Sequence, residues 1–123
     1  MKLIEAIHQI DNLKPNTYSF DMKRSWLSQL ESMVKRLVID THEGGDQIPF
    51  EEFTEGTDLN TVLFMPAPFD MAYVYWLEEK IHYANEDIEM YNSAIMMFNA
   101  AFSEFKADYK RTHVSKGTGR FRF

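Results

Sequence analysis

Residues 69–112 read FDMAYVYWLEEKIHYANEDIEMYNSAIMMFNAAFSEFKADYKRT. Val74, Leu77, Ile81, Ala84, Ile88, Tyr91, Ile95, Phe98, Phe102, Phe105 and Tyr109 alternate steps of three and four through this stretch. That is the spacing of one apolar face of an α-helix. Read as a single helix it makes a rod roughly 65 Å long at 1.5 Å per residue, too long for a small compact domain. Asn85-Glu86-Asp87 offers the break. Asn tolerates the left-handed conformation of a helix end, and Glu86, Asp87 and Glu89 suit the positive start of a new helix. The stretch predicts two helices joined by a tight turn or sharp kink at 85–87, with one long kinked helix as the alternative. Pro68 belongs in the first helical turn, where its missing N–H costs nothing, and Asp70 in the same turn.

Two more helices precede this pair. Leu3, Ile4, Ile7 and Ile10 repeat at helical spacing over residues 2–12, and Lys14-Pro15-Asn16 stops them, because the residue before proline is driven out of the helical region. From Asp21 to Ile39, Trp26, Leu27, Leu30, Met33, Val34, Leu37 and Val38 form a second apolar face. Ser19 or Asp21 can cap its start, and Gly44-Gly45 closes the segment.

Residues 44–67 lose helical periodicity. Ile48-Pro49-Phe50 and Val62-Leu63-Phe64-Met65 are short apolar runs that read as extended, pairable strands within a long loop. Loops of this length tend to be functional or mobile. At the other end, Gly117 and Gly119 make a joint before Arg120-Phe121-Arg122-Phe123, which alternates cation and ring with the period of a strand. The fold class is therefore mainly α: a four-helix domain over residues 1–112, a partly extended loop at 44–67, and a flexible basic C-terminal arm over 113–123.

Composition narrows the function classes. The 123 residues are 45% hydrophobic, with ten Phe, six Tyr, two Trp and eight Met. That is ample material for one core or for interface anchors. There is no Cys, which excludes disulfides, thiolate metal sites and Cys nucleophiles. No apolar run approaches a membrane span, and Glu5 interrupts the N-terminal stretch too early for a signal peptide. The net charge of −6 is unevenly spread. Asp40, Glu43, Asp46, Glu51, Glu52, Glu55 and Asp58 stand in a segment without Lys or Arg. Lys106, Lys110, Arg111, Lys116, Arg120 and Arg122 are opposed by Asp108 alone over residues 105–123. Such polarity lets one copy's acidic loop attract another copy's basic end.

Catalytic patterns do not emerge. His8, His42, His82 and His113 are scattered, with no helical metal pair or H-E-x-x-H motif. His82 and Glu86 share a helical spacing, as many residue pairs do. The acid pairs Glu51-Glu52, Glu78-Glu79 and Glu86-Asp87 are adjacent in sequence, so on a helix they point apart instead of converging. No phosphate loop, calcium loop, nucleophile elbow or dinucleotide fingerprint is present. The expectation is a protein without catalytic residues, metal or cofactor. A basic footprint for nucleic acid exists only at the C-terminus, too small to carry sequence specificity.

Several stretches, taken in order, resemble a known family. They are Asp11-Asn12-Leu13-Lys14-Pro15-Asn16, Lys23-Arg24-Ser25-Trp26-Leu27-Ser28-Gln29-Leu30-Glu31, Thr41-His42-Glu43-Gly44 and Met65-Pro66-Ala67-Pro68-Phe69-Asp70. Further along come Tyr73-Val74-Tyr75-Trp76-Leu77, Tyr83-Ala84-Asn85, Tyr91-Asn92, Met97-Phe98-Asn99-Ala100-Ala101-Phe102, Tyr109 and Arg111-Thr112-His113. Together they resemble the small helical head–tail connector, or head-completion, proteins of tailed phages and prophages. The resemblance implies a structural virion protein without enzymatic activity. Its partners would be the portal protein and other connector or tail proteins, and it would self-associate on that template as a ring through which DNA passes. It would sit in the host cytoplasm during assembly and then at the head–tail interface of the virion. An acidic ring lining would repel phosphate and let DNA slide without gripping it. In that setting Arg120, Phe121, Arg122 and Phe123 are the partner-binding arm, and Glu43, Asp46, Glu51, Glu52, Glu55 and Asp58 the acidic surface. The alternative is a small non-enzymatic adaptor that regulates one partner protein.

Overall fold

The computed structural model describes residues 1–116. Four α-helices carry the described residues: α1 Leu3–Leu13, α2 Phe20–Leu37, α3 Met71–Ala84 and α4 Ile88–Thr112. Two single 3₁₀ turns, Ile39–Thr41 and Gly45–Gln47, follow α2.

Helix α3 is the centre of the domain and packs against α1, α2 and α4. Its sequence explains the position. Ala72, Tyr73, Val74, Trp76, Leu77 and Ile81 are all buried, and such residues surround the helix instead of lining one face. A helix apolar all round has to be enclosed. Helix α1 contributes Leu3, Ala6, Ile7 and Ile10, and α2 contributes Leu27, Leu30 and Val34. Helix α4 folds back along α3 and buries Ala94, Phe98, Phe102 and Phe105.

The predicted break at 85–87 is a turn between two helices, but Asn85 is not its left-handed residue. Asn85 stays right-handed, and Glu86 adopts φ 60°, a conformation that strains a residue with a side chain. Asp87 then caps α4, accepting from Met90 N–H at 3.3 Å. Tyr18 donates its hydroxyl to Asn85 Oδ1 at 2.6 Å and ties the turn to the α1–α2 connection. Because the turn projects from the core, two members of the stripe, Ala84 and Ile88, are exposed. Leu37, expected on the buried face of α2, is 55% exposed where that helix ends. Ser19 is the cap of α2, accepting from Met22 N–H at 3.1 Å. Pro68 lies in the turn before α3, after a cis peptide bond, and not within the first helical turn.

The two apolar runs of the loop do not pair as strands. Residues 59–63 run instead beside the start of α1. Leu3 N–H donates to Thr61 O at 2.9 Å and Ile4 N–H to Leu59 O at 3.0 Å, while Leu63 N–H donates to Met1 O at 2.9 Å. The first two contacts satisfy helix-end N–H groups that lack an intrahelical acceptor. Among the described residues the only extended pairings are the isolated bridges Lys2–Val62 and His42–Ser115.

The second bridge changes the reading of residues 113–116, expected as the start of a free arm. Glu43 N–H donates to Val114 O at 2.7 Å and Lys116 N–H to Thr41 O at 2.9 Å. His113 stacks on Tyr109 at 3.7 Å, and His42 packs edge-on against Tyr109. This part of the chain is fastened to the 41–46 segment.

The core assignment predicts that Phe98→Ala and Phe102→Ala, each removing a ring that is 6% exposed, lower stability by about 3–5 kcal/mol in urea titrations. Met96→Ala, on the exposed side of the same helix, should change it by no more than about 0.5 kcal/mol. A Cβ on Gly45 would meet Ile39 O at 2.0 Å. Gly45→Ala should therefore cost about 1–3 kcal/mol, and a thermal melt identical to the parent would contradict the tight packing of the two 3₁₀ turns.

Candidate functional site

The loop between the 3₁₀ turns and α3 encloses a hollow of about 510 Å³ against α2. Its apolar wall is aromatic. Phe50 lies 5.9 Å from Phe53 and 5.8 Å from Phe64, centroid to centroid. Glu51, Glu52 and Asp58 also line it, and all three are exposed. The hollow thus combines rings and carboxylates, the complement of a ligand with apolar groups and positive charge.

Two polar side chains of α2 hold the hollow in shape. Ser28 and Glu31 are one helical turn apart and face inward. Ser28 Oγ accepts from Phe53 N–H at 2.9 Å. Glu31 Oε2 accepts from Phe64 N–H at 2.7 Å. The other oxygen of Glu31 accepts from the Tyr73 hydroxyl at 2.5 Å, and that hydroxyl accepts from Met65 N–H at 2.8 Å. Glu31 and Tyr73 therefore supply what a partner strand would have supplied to Phe64 and Met65, which explains the missing strand pairing.

Glu31 is 2% exposed. Burial pushes its carboxyl up to about 7, and the hydrogen bonds from Tyr73 and Phe64, which favour the ionised form, offset only part of that penalty. Burial and the adjacent carboxylate raise the Tyr73 phenol well above its ordinary range. The sequence did carry a signal for this pair. Glu31 falls in step with Leu27 and Val34 on the buried face of α2, where a carboxylate needs dedicated partners.

The six acids singled out in the sequence separate in space. Glu51, Glu52 and Asp58 share the hollow; Glu43, Asp46 and Glu55 are not among its lining residues. Asp46 accepts from Lys116 Nζ at 2.8 Å, and that ammonium lowers its carboxyl below the usual range. The attraction expected between an acidic loop of one copy and a basic end of another thus occurs, among the described residues, within the chain itself. Arg120, Phe121, Arg122 and Phe123 lie outside the described residues. His82 approaches Glu78 at 3.4 Å, one turn back along α3, and not Glu86. Among the described residues no three His, Asp or Glu side chains are grouped to hold a metal ion, and no helix is long and apolar enough to cross a membrane.

Glu31 predicts a pH dependence with a defined sign. The carboxyl titrates near 4.5 in the unfolded chain and near 7 in the fold, so the unfolded chain loses its proton first. The stability this group contributes is full below pH 4.5, falls between 4.5 and 7, and is constant above. The fall amounts to about 3 kcal/mol at about 1.4 kcal/mol per pH unit. Glu31→Gln should flatten most of the change in urea midpoint between about pH 5 and about pH 8, because the amide does not titrate. Glu79, also shifted upward by burial, leaves a residual slope of the same sign. A parent protein whose stability rises from pH 5 to pH 7 would contradict the assignment.

No known family model, curated protein or solved structure matches the chain.

Proposed function

We propose that this chain is a structural assembly protein of the head–tail connector type, without enzymatic activity, which joins its own copies into a ring on a portal template. One observation carries the reading: the same chain holds both halves of a contact. One half is the hollow of Phe50, Phe53 and Phe64 with Glu51, Glu52 and Asp58 beside them. The other is the terminal sequence Arg120-Phe121-Arg122-Phe123, which supplies two cations and two rings.

The tail of one copy enters the hollow of the next. The rings give apolar contact area and the guanidinium groups meet the carboxylates, each in the geometry such groups favour. A contact between two different surfaces of identical subunits is head-to-tail, and it closes into a ring when the rotation between neighbours permits. Single contacts of this size are weak, and a template that gathers many copies makes the assembled ring stable. The excess of acidic over basic residues suits a ring through which DNA slides without being held. The resemblance to connector proteins, carried by residues along nearly the whole chain, supports the portal as template and the head–tail interface as the place of action.

A chain lacking residues 117–123 tests this directly. It should melt as the parent does, yet fail to form rings on portal particles or to join heads to tails. A peptide of residues 117–123 should bind the truncated protein, and Glu51→Lys, Glu52→Lys and Asp58→Lys together should weaken it at least about tenfold, about 1.4 kcal/mol. Normal assembly by the truncated chain would overturn the proposal.

A further inference from the structure

Among the described residues, the long helix α4 has an unpartnered side. Its buried residues Ala94, Phe98, Phe102 and Phe105 face the core. On the opposite side Met96 is 72% and Met97 50% exposed, with Ser93, Ala100 and Ala107 exposed beside them. At 3.6 residues per turn, Glu89, Ser93, Met96, Ala100, Glu104, Ala107 and Arg111 fall within about 40° of one line along the helix.

That line is symmetric about Ala100. Ser93 and Ala107 stand seven positions either side of it, Met96 and Glu104 four, and Glu89 and Arg111 eleven. The two ends carry opposite charge, and between them Glu104 alone is charged. We propose that a second copy of the chain docks antiparallel along this face, about a two-fold axis at Ala100.

The register follows from chemistry. In the antiparallel pair each Glu89 meets the other copy's Arg111, twice by symmetry. Ser93 lies against Ala107, small against small, and Ala100 against itself, so the helix axes approach to about 8 Å. Met96 covers the methylene stem of Glu104 while the carboxylate reaches water. The parallel alternative sets Glu89 on Glu89 and Arg111 on Arg111, where like charges repel. Arg111 is available for the contact: its present partner Asp108, at 3.2 Å, is one turn away on the same exposed helix end, and an ion pair of that kind contributes little.

The strip is about 33 Å long and about 10 Å wide, so it covers roughly 330 Å² per copy. That is below the size of a standard stable interface, about 800 Å² per partner, and the net charge of −6 on each chain opposes association. The contact is therefore weak, with a dissociation constant in the micromolar range or above, about 1 µM to about 1 mM. It goes beyond the ring contact proposed above. A two-fold contact is saturated at two copies, and it leaves the hollow and the tail unused.

The chain has no Cys, so one introduced thiol reports the axis. Ala100→Cys should give a disulfide-linked dimer on mild oxidation, because a residue on the axis meets its own copy within disulfide reach, about 4.4–6.8 Å between Cα atoms. Asn92→Cys, exposed on α4 but off this line, should not. In sedimentation experiments Glu89→Arg and Arg111→Glu should each weaken the dimer at least about tenfold. The two combined in one chain should restore it. Equal cross-linking of the two cysteine variants, or no recovery in the double variant, overturns the proposal. Residues 117–123 are dispensable for this dimer, so a truncated chain that still dimerises but forms no ring separates the two contacts.

Discussion

A carboxylate placed inside a helical core has to be held by several partners at once, and Glu31 is. It reaches from α2 to the returning loop through Phe64 N–H and to α3 through the Tyr73 hydroxyl. Without it, two backbone N–H groups of the loop, one bonded directly and one through Tyr73, would lose or loosen their acceptors. A buried donor left unpaired costs about 1–3 kcal/mol. The charged form is itself costly to bury. The upward displacement of its carboxyl to about 7 shows that desolvation outweighs the two hydrogen bonds. The domain therefore keeps a group that weakens it near neutral pH because that group fixes where the loop lies.

The position of the loop matters because it forms most of the hollow. Ser28 anchors the side carrying Phe53 and Glu31 the side carrying Phe64, from adjacent turns of one helix. Helix α2 is fixed in turn. The Trp76 indole N–H of α3 donates to Trp26 O at 2.8 Å, and buried Lys23 donates to Asp11 of α1 at 2.5 Å. The hollow thus inherits its shape from a packed three-helix unit.

Local pattern made the four helices legible in the sequence. Apolar spacing located α1 through α4, Ser19 read correctly as a cap, and the turn fell at the residues flagged for it. What escaped was decided by distant groups. The stripe continued through Ala84 and Ile88, yet both are exposed, because periodicity records a helical phase and not whether a neighbour reaches it. Asn85 was the better local choice for the left-handed position. Glu86 takes it, because the capping of α4 by Asp87 and the tie from Tyr18 set the path of the turn. Val62–Met65 looked like a strand because the run is apolar and extended, but Leu63 N–H goes to Met1 O, and the N–H groups of Phe64 and Met65 go to side chains of α2 and α3. The hollow was foreshadowed only as acids: nothing local reveals that Glu51, Glu52 and Asp58 share a space while Glu43, Asp46 and Glu55 do not.

The two proposed contacts obey different symmetries, and that difference decides how they can coexist. A tail-to-hollow contact leaves an unused tail and an unused hollow at every intermediate stage, so nothing in it stops growth except ring closure. The α4 contact is satisfied once two copies meet. If free subunits pair through α4, premature head-to-tail growth has to proceed from dimers, whose two hollows are related by a two-fold axis and point in different directions. Copies gathered on a template share one direction instead. A weak dimer is then useful because it is weak: multivalent engagement outcompetes a micromolar pairwise contact without needing to be strong at any single site. The small side chains Ser93, Ala100 and Ala107 fit that requirement, since they permit close approach while burying little apolar area. Larger apolar residues at those positions would make a tighter dimer and a poorer supply of subunits.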